Sequence, residues 1–472
     1  MPPKPGQGLA TLANDESKTH AREAHSGLAQ RSAIIAVTLP AILFYSVLFR
    51  TTLNLPILDD YNAILNFLNR WVECRTASEK FVWFLSSQLV DVKTFFIHAV
   101  ALAEYLAVGH VNFRFLTLCY VGLIPPLVLL LWKMFIPSCS NKTVRLVLFL
   151  PVSFLVFQLQ YMTELDVVTT GMQHIAGLLF SFLTIYWLHQ NTRSYFAGAS
   201  AALIFAIASD ANGFMVIPIV FLTLLRERRF GRLAVFLAVS IGCVAAYAFH
   251  YDHHVSPVDA NQNSQSFAQT LAVRILYVLG FLGSAAGFNT HFLPGGLILG
   301  ASLVAFFVWK IARGDARHNR LLYDCVLFLF LTAVIAASGR SGLGISQSLS
   351  GRYTLYSLTC VSLFWMVLVE DFVVHRSKPF ESGPFLMMMI CSVVFSLSWD
   401  LMGYWGISQR DQSLTASILE FEHPSPANPD PFPVPNYRFP GPKGVEEGIK
   451  LCEGMRSIMK RSIELGIYRP KL

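Results

Sequence analysis

Two adjacent carboxylates, Asp59-Asp60, stand in the run Leu-Pro-Ile-Leu-Asp-Asp-Tyr just beyond an apolar stretch, Ile34–Leu48. A carboxylate beside a low-dielectric surface can act as a general base, with its pKa set by burial and neighbours. Paired acids can also hold a divalent cation, although nothing in the sequence requires one. The competing reading is an N-cap, because Asp60 precedes Tyr-Asn-Ala-Ile-Leu and Asp is a favoured cap. Two acids where charge is costly favour chemistry over capping. Far along the chain, Arg340 and Arg352 bracket Ser-Gly-Leu-Gly-Ile-Ser-Gln-Ser-Leu-Ser-Gly, and Tyr353 opens the next apolar run. An arginine fork matches phosphate oxygens, and backbone rich in glycine and serine lets amides approach them. The alternative is a pair of interfacial anchors reaching for headgroups.

Other polar groups are less specific. Gln158 to Asp166, which includes Glu164, and then Gln173-His174 collect hydrogen-bonding side chains that could line a sugar site or cap helices. Asp210 with Asn212-Gly213 reads as a turn, since Asn-Gly favours positive φ. Asp252-His253-His254 lacks the ligand spacing of a defined metal site, and no metal ligand set is assigned. None of the eight cysteines forms a CxxC; Cys74 and Cys452 could share a compartment and pair, which spacing cannot decide.

The elements that must position these groups are written in the composition. Of 472 residues, 54% are hydrophobic and only 14% charged, with mean hydropathy +0.50. Soluble chains carry about a quarter charged residues, so lipid is the expected solvent. A spanning helix needs about 20 largely apolar residues. Candidates are Ser32–Leu48, Val92–Val108, Phe115–Phe135, Val144–Gln160, Val168–Leu188, Tyr195–Ala208 and Phe214–Leu225. They continue with Leu233–Phe249, Leu271–Phe288, Gly295–Ile311, Leu321–Ala337, Tyr353–Val369 and Pro384–Leu401. The expectation is an all-α polytopic transmembrane bundle of about 11–12 spans; 92–108, 195–225 and 271–288 stay ambiguous, and no repeat at a solenoid period is seen.

Residues 1–31 are polar and aperiodic and are expected to be a disordered cytoplasmic tail, with the first span a retained anchor. Residues 32–405 form the transmembrane domain. Within it, loop 51–90 carries helical spacing at Asn62–Trp71 and Glu79–Leu89, which suits surface helices. Residues 406–472 hold a proline-rich, extended stretch and then an amphipathic helix over Val445–Leu465. The formal charge is +7, and basic clusters at 226–232, 310–320 and 375–378 fall between spans. The positive-inside rule puts them in the cytoplasm, so the Asp59 loop, 338–352 and the C-terminal segment face outward. Scattered cations without a basic domain argue against a nucleic-acid partner.

In layout the chain resembles GT-C-type membrane glycosyltransferases, an uncharacterised bacterial branch. The resemblance rests on Leu58-Asp-Asp-Tyr61 after the first span and Ser350-Gly-Arg-Tyr-Thr-Leu-Tyr-Ser357 opening a late one, with weaker echoes at Ser209-Asp-Ala-Asn-Gly213 and Ile463-Glu-Leu-Gly-Ile-Tyr-Arg-Pro470. It implies a bacterial inner-membrane enzyme that moves a sugar from a polyprenyl-phosphate donor to a glycan or lipid acceptor on the extracytoplasmic face. By position, Asp59 would be the general base, Asp60 would orient it or help bind metal, Arg340 and Arg352 would bind the lipid phosphate, and Tyr353 would support them. A transporter or flippase for lipid-linked sugars could use the same arginines, but it predicts midplane charges and related halves. A polymerase or ligase of lipid-linked glycans lies between. A non-catalytic assembly subunit would leave the acids as caps and the arginines as anchors.

Overall fold

The computed structural model describes all residues except 1–6, 91, 136–140, 162–164, 253–265, 288–291, 318, 376–382, 424–441 and 471–472. Glu164, His253, His254 and most of the proline-rich stretch therefore lie outside the described residues. Among those described, regular structure is helical apart from two isolated bridges, Leu89 with Val92 and Val111 with Tyr468.

Helix α1 (Gln7–Thr51) contains the first apolar span, Gly27–Thr51. It runs through residues expected to be an unstructured tail. Ala, Leu, Gln, Glu and Lys in 7–31 are good helix formers, and a span already helical removes the nucleation cost. The first loop holds a π-helical turn (Tyr61–Asn66), α2 (Phe67–Glu73) and α3 (Ala77–Ser86). Thr76 and Glu79 start α3 with a reciprocal capping box. Next come α4 (Phe95–Val108), α5 (Phe113–Val121) and α6 (Ile124–Met134), the last two forming one apolar passage. Gly122 bends that passage, and Pro125-Pro126 restart it where proline is tolerated.

The central helices are α7 (Lys142–Val156), α8 (Val168–Gly171), α9 (Gly177–His189), α10 (Arg193–Ser209) and α11 (Val216–Arg226). A π turn, Met172–Ala176, joins α8 to α9. Then follow α12 (Phe230–Ala248), α13 (Phe267–Leu282), α14 (Leu293–Ala312), α15 (Arg320–Arg340), α16 (Gly351–His375), α17 (Gly383–Glu422) and α18 (Pro442–Glu464).

Among the described residues nine segments are long and apolar enough to cross a bilayer. Two of them, Val168–His189 and Gly351–Asp371, are 78% buried and form the centre, whereas Gly27–Thr51 and Phe230–Ala248 are 22% and 17% buried and form the rim. The rim turns Ile35, Leu39, Ile42, Val235, Ile241 and Val244 outward. That much exposed aliphatic surface suits a chain dissolved in hydrocarbon. The protein is an all-α integral membrane bundle.

The shorter apolar helices α4, α10, α11 and α13 are those whose crossing the sequence leaves open. Just before α4, Lys93 Nζ donates to the Leu85 and Phe249 carbonyls. Just after it, Val111 N–H donates to the Ile467 carbonyl at 2.8 Å. Both ends of α4 thus meet the face that carries the Asp59 loop. Helix α10 packs along α9, and α10 and α11 run in opposite directions through the turn at 210–215. Asn191, before α10, accepts from Arg232 Nη1 at 3.1 Å, while the turn at Asp210 reaches Tyr356 in α16.

Helix α13 packs by close backbone approach. A Cβ on Gly300 would fall 1.9 Å from the Leu279 carbonyl oxygen, and one on Gly283 would fall 1.9 Å from that of Gly296. Only glycine lets α13 and α14 meet so closely. The C-terminal helix α18 folds over the first loop, burying Met455 and Met459. Asn69 Nδ2 donates to the Ile458 carbonyl at 3.2 Å, and Ser462 Oγ donates to Asn69 Oδ1 at 2.9 Å. Cys74 and Cys452 are free thiols.

Candidate functional site

The site begins with a strained residue. Leu58 has φ +49°, a left-handed conformation that an ordinary side chain adopts only when its surroundings impose it. The backbone then winds into the π-helical turn, and the Asp59 carbonyl accepts from the Asn62 and Ala63 N–H groups at 3.1 and 2.8 Å. The turn sends the two acids to opposite fates. Asp60 is fully buried. Its Oδ2 accepts from Ile57 N–H at 3.0 Å and Val168 N–H at 3.2 Å. Its Oδ1 accepts from the Thr169 N–H and hydroxyl, each at 2.7 Å. Burial pushes this carboxyl up to about 7, against the pull of the Thr169, Ile57 and Val168 donors.

Asp60 is therefore a cap, but of α8, the helix that starts 108 residues later, and not of the turn it precedes. Its role is positioning: it has no face toward solvent from which to bind metal or exchange a proton with substrate. The same acid fixes both the Leu58-Asp59 corner and the start of α8. The second π turn, Met172–Ala176, follows α8 directly. π turns insert an extra residue and rotate the side chains that follow, and they recur at functional sites.

Asp59 points the other way and is exposed. Desolvation by the surrounding protein raises its pKa, and the charges of Arg352 and Arg340 oppose that rise. Both arginines act on it electrostatically. Arg340 and Arg352 thus lie within electrostatic range of Asp59, although about 280 to 290 positions away in the sequence.

Arginine 340 closes α15, and a loop of two 3-10 turns, Ser341–Leu343 and Ile345–Leu349, leads to Arg352 in the first turn of α16. Gly344 sits between the turns at φ +102°, a conformation that favours glycine. The Arg340 guanidinium is hydrogen-bonded to the Tyr353 side chain, with Tyr277 and Asp210 in electrostatic range. Arg352 Nε donates to Ser350 Oγ at 3.3 Å, and its guanidinium lies 6.0 Å from the centre of the Tyr353 ring. Both arginines are half-buried.

The ring of Tyr353 is the pivot of this cluster. It packs 4.6 Å from Phe281, centre to centre, and its hydroxyl accepts from Tyr277 Oη at 3.4 Å. His174 donates a ring N–H to the Arg352 backbone carbonyl and lies 5.6 Å from the Tyr356 ring. Tyr356 Oη donates to Asp210 Oδ2 at 3.4 Å, and Asn212 Nδ2 donates to the same oxygen at 2.6 Å. Asp210 is thus a turn residue and also a neighbour of Arg340.

Gln173 is half-buried on the π turn beside His174. Sequence reasoning did not assign Tyr277 or Tyr356 to the site, named His174 only among polar groups that could line a sugar site or cap helices, and read Asp210 as a turn. The break at 209–213 was the one available signal for Asp210; Tyr277 has none, because a tyrosine in an apolar helix is ordinary. Among the described residues no group of three or more His, Cys, Asp or Glu side chains converges as a metal site.

Chemically, the site pairs one exposed acid with two guanidiniums on aromatic and hydroxyl supports. It can hold an anion against the arginines and present a carboxylate to a neighbouring proton. Against known proteins, the chain matches no family model, no curated protein and no solved structure. Fold and site define an α-helical integral membrane protein with an acid–arginine site on one face of the bundle.

Proposed function

We propose that the protein is a membrane glycosyltransferase that takes a sugar from a polyprenyl-phosphate donor and passes it to a glycan or lipid acceptor. The observation that carries this reading is the electrostatic reach of Arg340 and Arg352 onto Asp59. The Asp59 carboxylate takes the proton of the acceptor hydroxyl as its oxygen attacks the anomeric carbon. The bond from that carbon to the phosphate oxygen breaks, and the electron pair leaves with the lipid phosphate. Arg340 and Arg352 neutralise the charge that builds there, an effect worth about 10²–10³ in rate for one preorganised donor. A base with a raised pKa suits proton abstraction near neutral pH. Tyr353, His174 and Asp60 position these groups.

The reading includes a topology. It takes eleven crossings, the nine long segments with α10 and α11, and leaves α4 and α13 uncrossed. The N-terminus and the clusters 226–232 and 310–320 are then cytoplasmic, and the Asp59 face and α18 are extracytoplasmic, in a bacterial inner membrane. A flippase would share the arginines but gives an exposed, desolvated acid no task.

The test compares cells carrying wild type and Asp59→Asn at equal membrane abundance. A surface glycan lacking one sugar, with its lipid-linked donor accumulating, is the expected result. Unchanged glycans and donor pools would remove the enzyme reading.

A further inference from the structure

We propose a second, separate anion site on the Asp59 face, one that binds the phosphate of a lipid headgroup through Arg469, Arg114 and His110. These three side chains line a cavity of about 350 Å³ together with Asn54, Asn112 and Thr52, and among the described residues no carboxylate lines it. Arg114 and Arg469 are exposed and His110 is half-buried.

Three distant segments build the walls. Asn54 Oδ1 accepts from Phe113 N–H at 2.8 Å, and Asn54 Nδ2 donates to the Arg469 carbonyl at 3.0 Å. Tyr468 Oη donates to the Asn54 carbonyl at 2.7 Å, and Val111 pairs with Tyr468 as a parallel bridge. Arg114 Nη2 donates to the Phe49 carbonyl at 2.8 Å, which holds the guanidinium across the mouth of α1. Glu104 is tied to these walls through its Oε1, which accepts from Asn112 N–H at 3.0 Å.

A lone interfacial arginine is an ordinary anchor. Here the chain's C-terminal stretch instead returns to set a second arginine beside the first, around space. The depth selects the ligand class. The apolar span Gly27–Thr51 ends, and Phe113–Met134 begins, at this cavity. Its cations therefore stand at headgroup level, where a phosphate is the abundant anion, and guanidinium forks suit phosphate oxygens. The site does not depend on sugar transfer.

The test uses the full chain in detergent micelles and counts retained lipids by native mass spectrometry. Probes are phosphatidylglycerol, phosphatidylcholine and inorganic pyrophosphate. The main variant is Arg469→Gln with His110→Gln. The wall bond at Arg469 comes from its backbone carbonyl, so this change spares the architecture. Arg469→Gln alone is the second variant, should the pair fail to fold.

Wild type is expected to retain one phosphatidylglycerol molecule more tightly than phosphatidylcholine, and the variant to bind it about tenfold more weakly, the scale of one charged hydrogen bond. Competition by pyrophosphate at micromolar levels, lost in the same variant, keeps the phosphate site but assigns it to a soluble ligand. Equal retention of both lipids, or no change in the variant, overturns the proposal.

Discussion

At the scale of single residues, the neighbouring acids 59 and 60 have opposite environments, and their substitutions should separate accordingly. Asp60→Asn turns an amide N–H₂ toward backbone donors that now give their hydrogen bonds to the carboxylate. Each orphaned donor costs about 1–3 kcal/mol, so the melting temperature in detergent should fall clearly, and Asp59→Asn should leave it unchanged. Equal melting of the two variants would refute the division of roles. The pH profile carries a second expectation. Asp59 must be ionised to act as base, and desolvation raises its pKa, so the rate should climb with pH along a limb centred above the ordinary carboxylate value of about 3.9. Arg352 lowers that pKa. Arg352→Ala should therefore move the limb to higher pH, beyond any loss of rate; a limb that stays put or moves lower contradicts the electrostatic coupling of the two groups.

Asp59, Arg340 and Arg352 stood out in the sequence as candidates because charge beside long apolar runs is rare, and Tyr353 because it directly follows Arg352. The partners of Asp60 were not, because Val168 and Thr169 are ordinary residues that become donors only where the chain folds back. Tyr277 was hidden for the same reason. Its contact with Tyr353 spans 76 positions and leaves no local pattern.

Among elements, the α13–α14 contact makes the sharpest demand. Gly300→Ala puts a methyl group into the Leu279 carbonyl, and backbone, unlike a side-chain tip, cannot turn aside. The loss should be about 3 kcal/mol or more, as overpacking at a rigid contact implies. Gly242→Ala, where nothing lies within 4 Å, should be neutral. Because α13 carries Tyr277 and Phe281 against Tyr353, the Gly300 variant should also lose transfer activity in proportion to folded protein; normal melting and activity would show that the close approach is not real.

Element identity was mostly readable from hydropathy. Which apolar helices are long enough to cross was not, because α13 is as apolar as a span and falls short only in length. Helix α4, flanked by Lys93 and carrying His98 and Glu104, announced its ambiguity in its own polar residues.

For the molecule as a whole, the path of the chain fixes which ends share a face. With cysteines introduced singly, Ser78→Cys and Arg469→Cys should react from one side of sealed membrane vesicles and Arg226→Cys only from the other. Reaction of all three from one side would break the eleven-crossing path. The C-terminal cover was anticipated by the apolar spacing of 449–463; its docking on Asn69 and Asn54 was not, since those bonds join residues some 390 to 415 positions apart.

The central claim is one site in which two arginines grip a lipid-linked phosphate and Asp59 reacts beside it. It is tested most directly by binding polyprenyl phosphate, with polyprenol as the uncharged control, to the purified full chain. Wild type and Asp59→Asn should bind the phosphate alike and far more tightly than polyprenol, while Arg340→Ala and Arg352→Ala should each lose about tenfold or more in affinity. Equal binding of the phosphate and polyprenol, or arginine variants that bind as wild type does, would contradict the account.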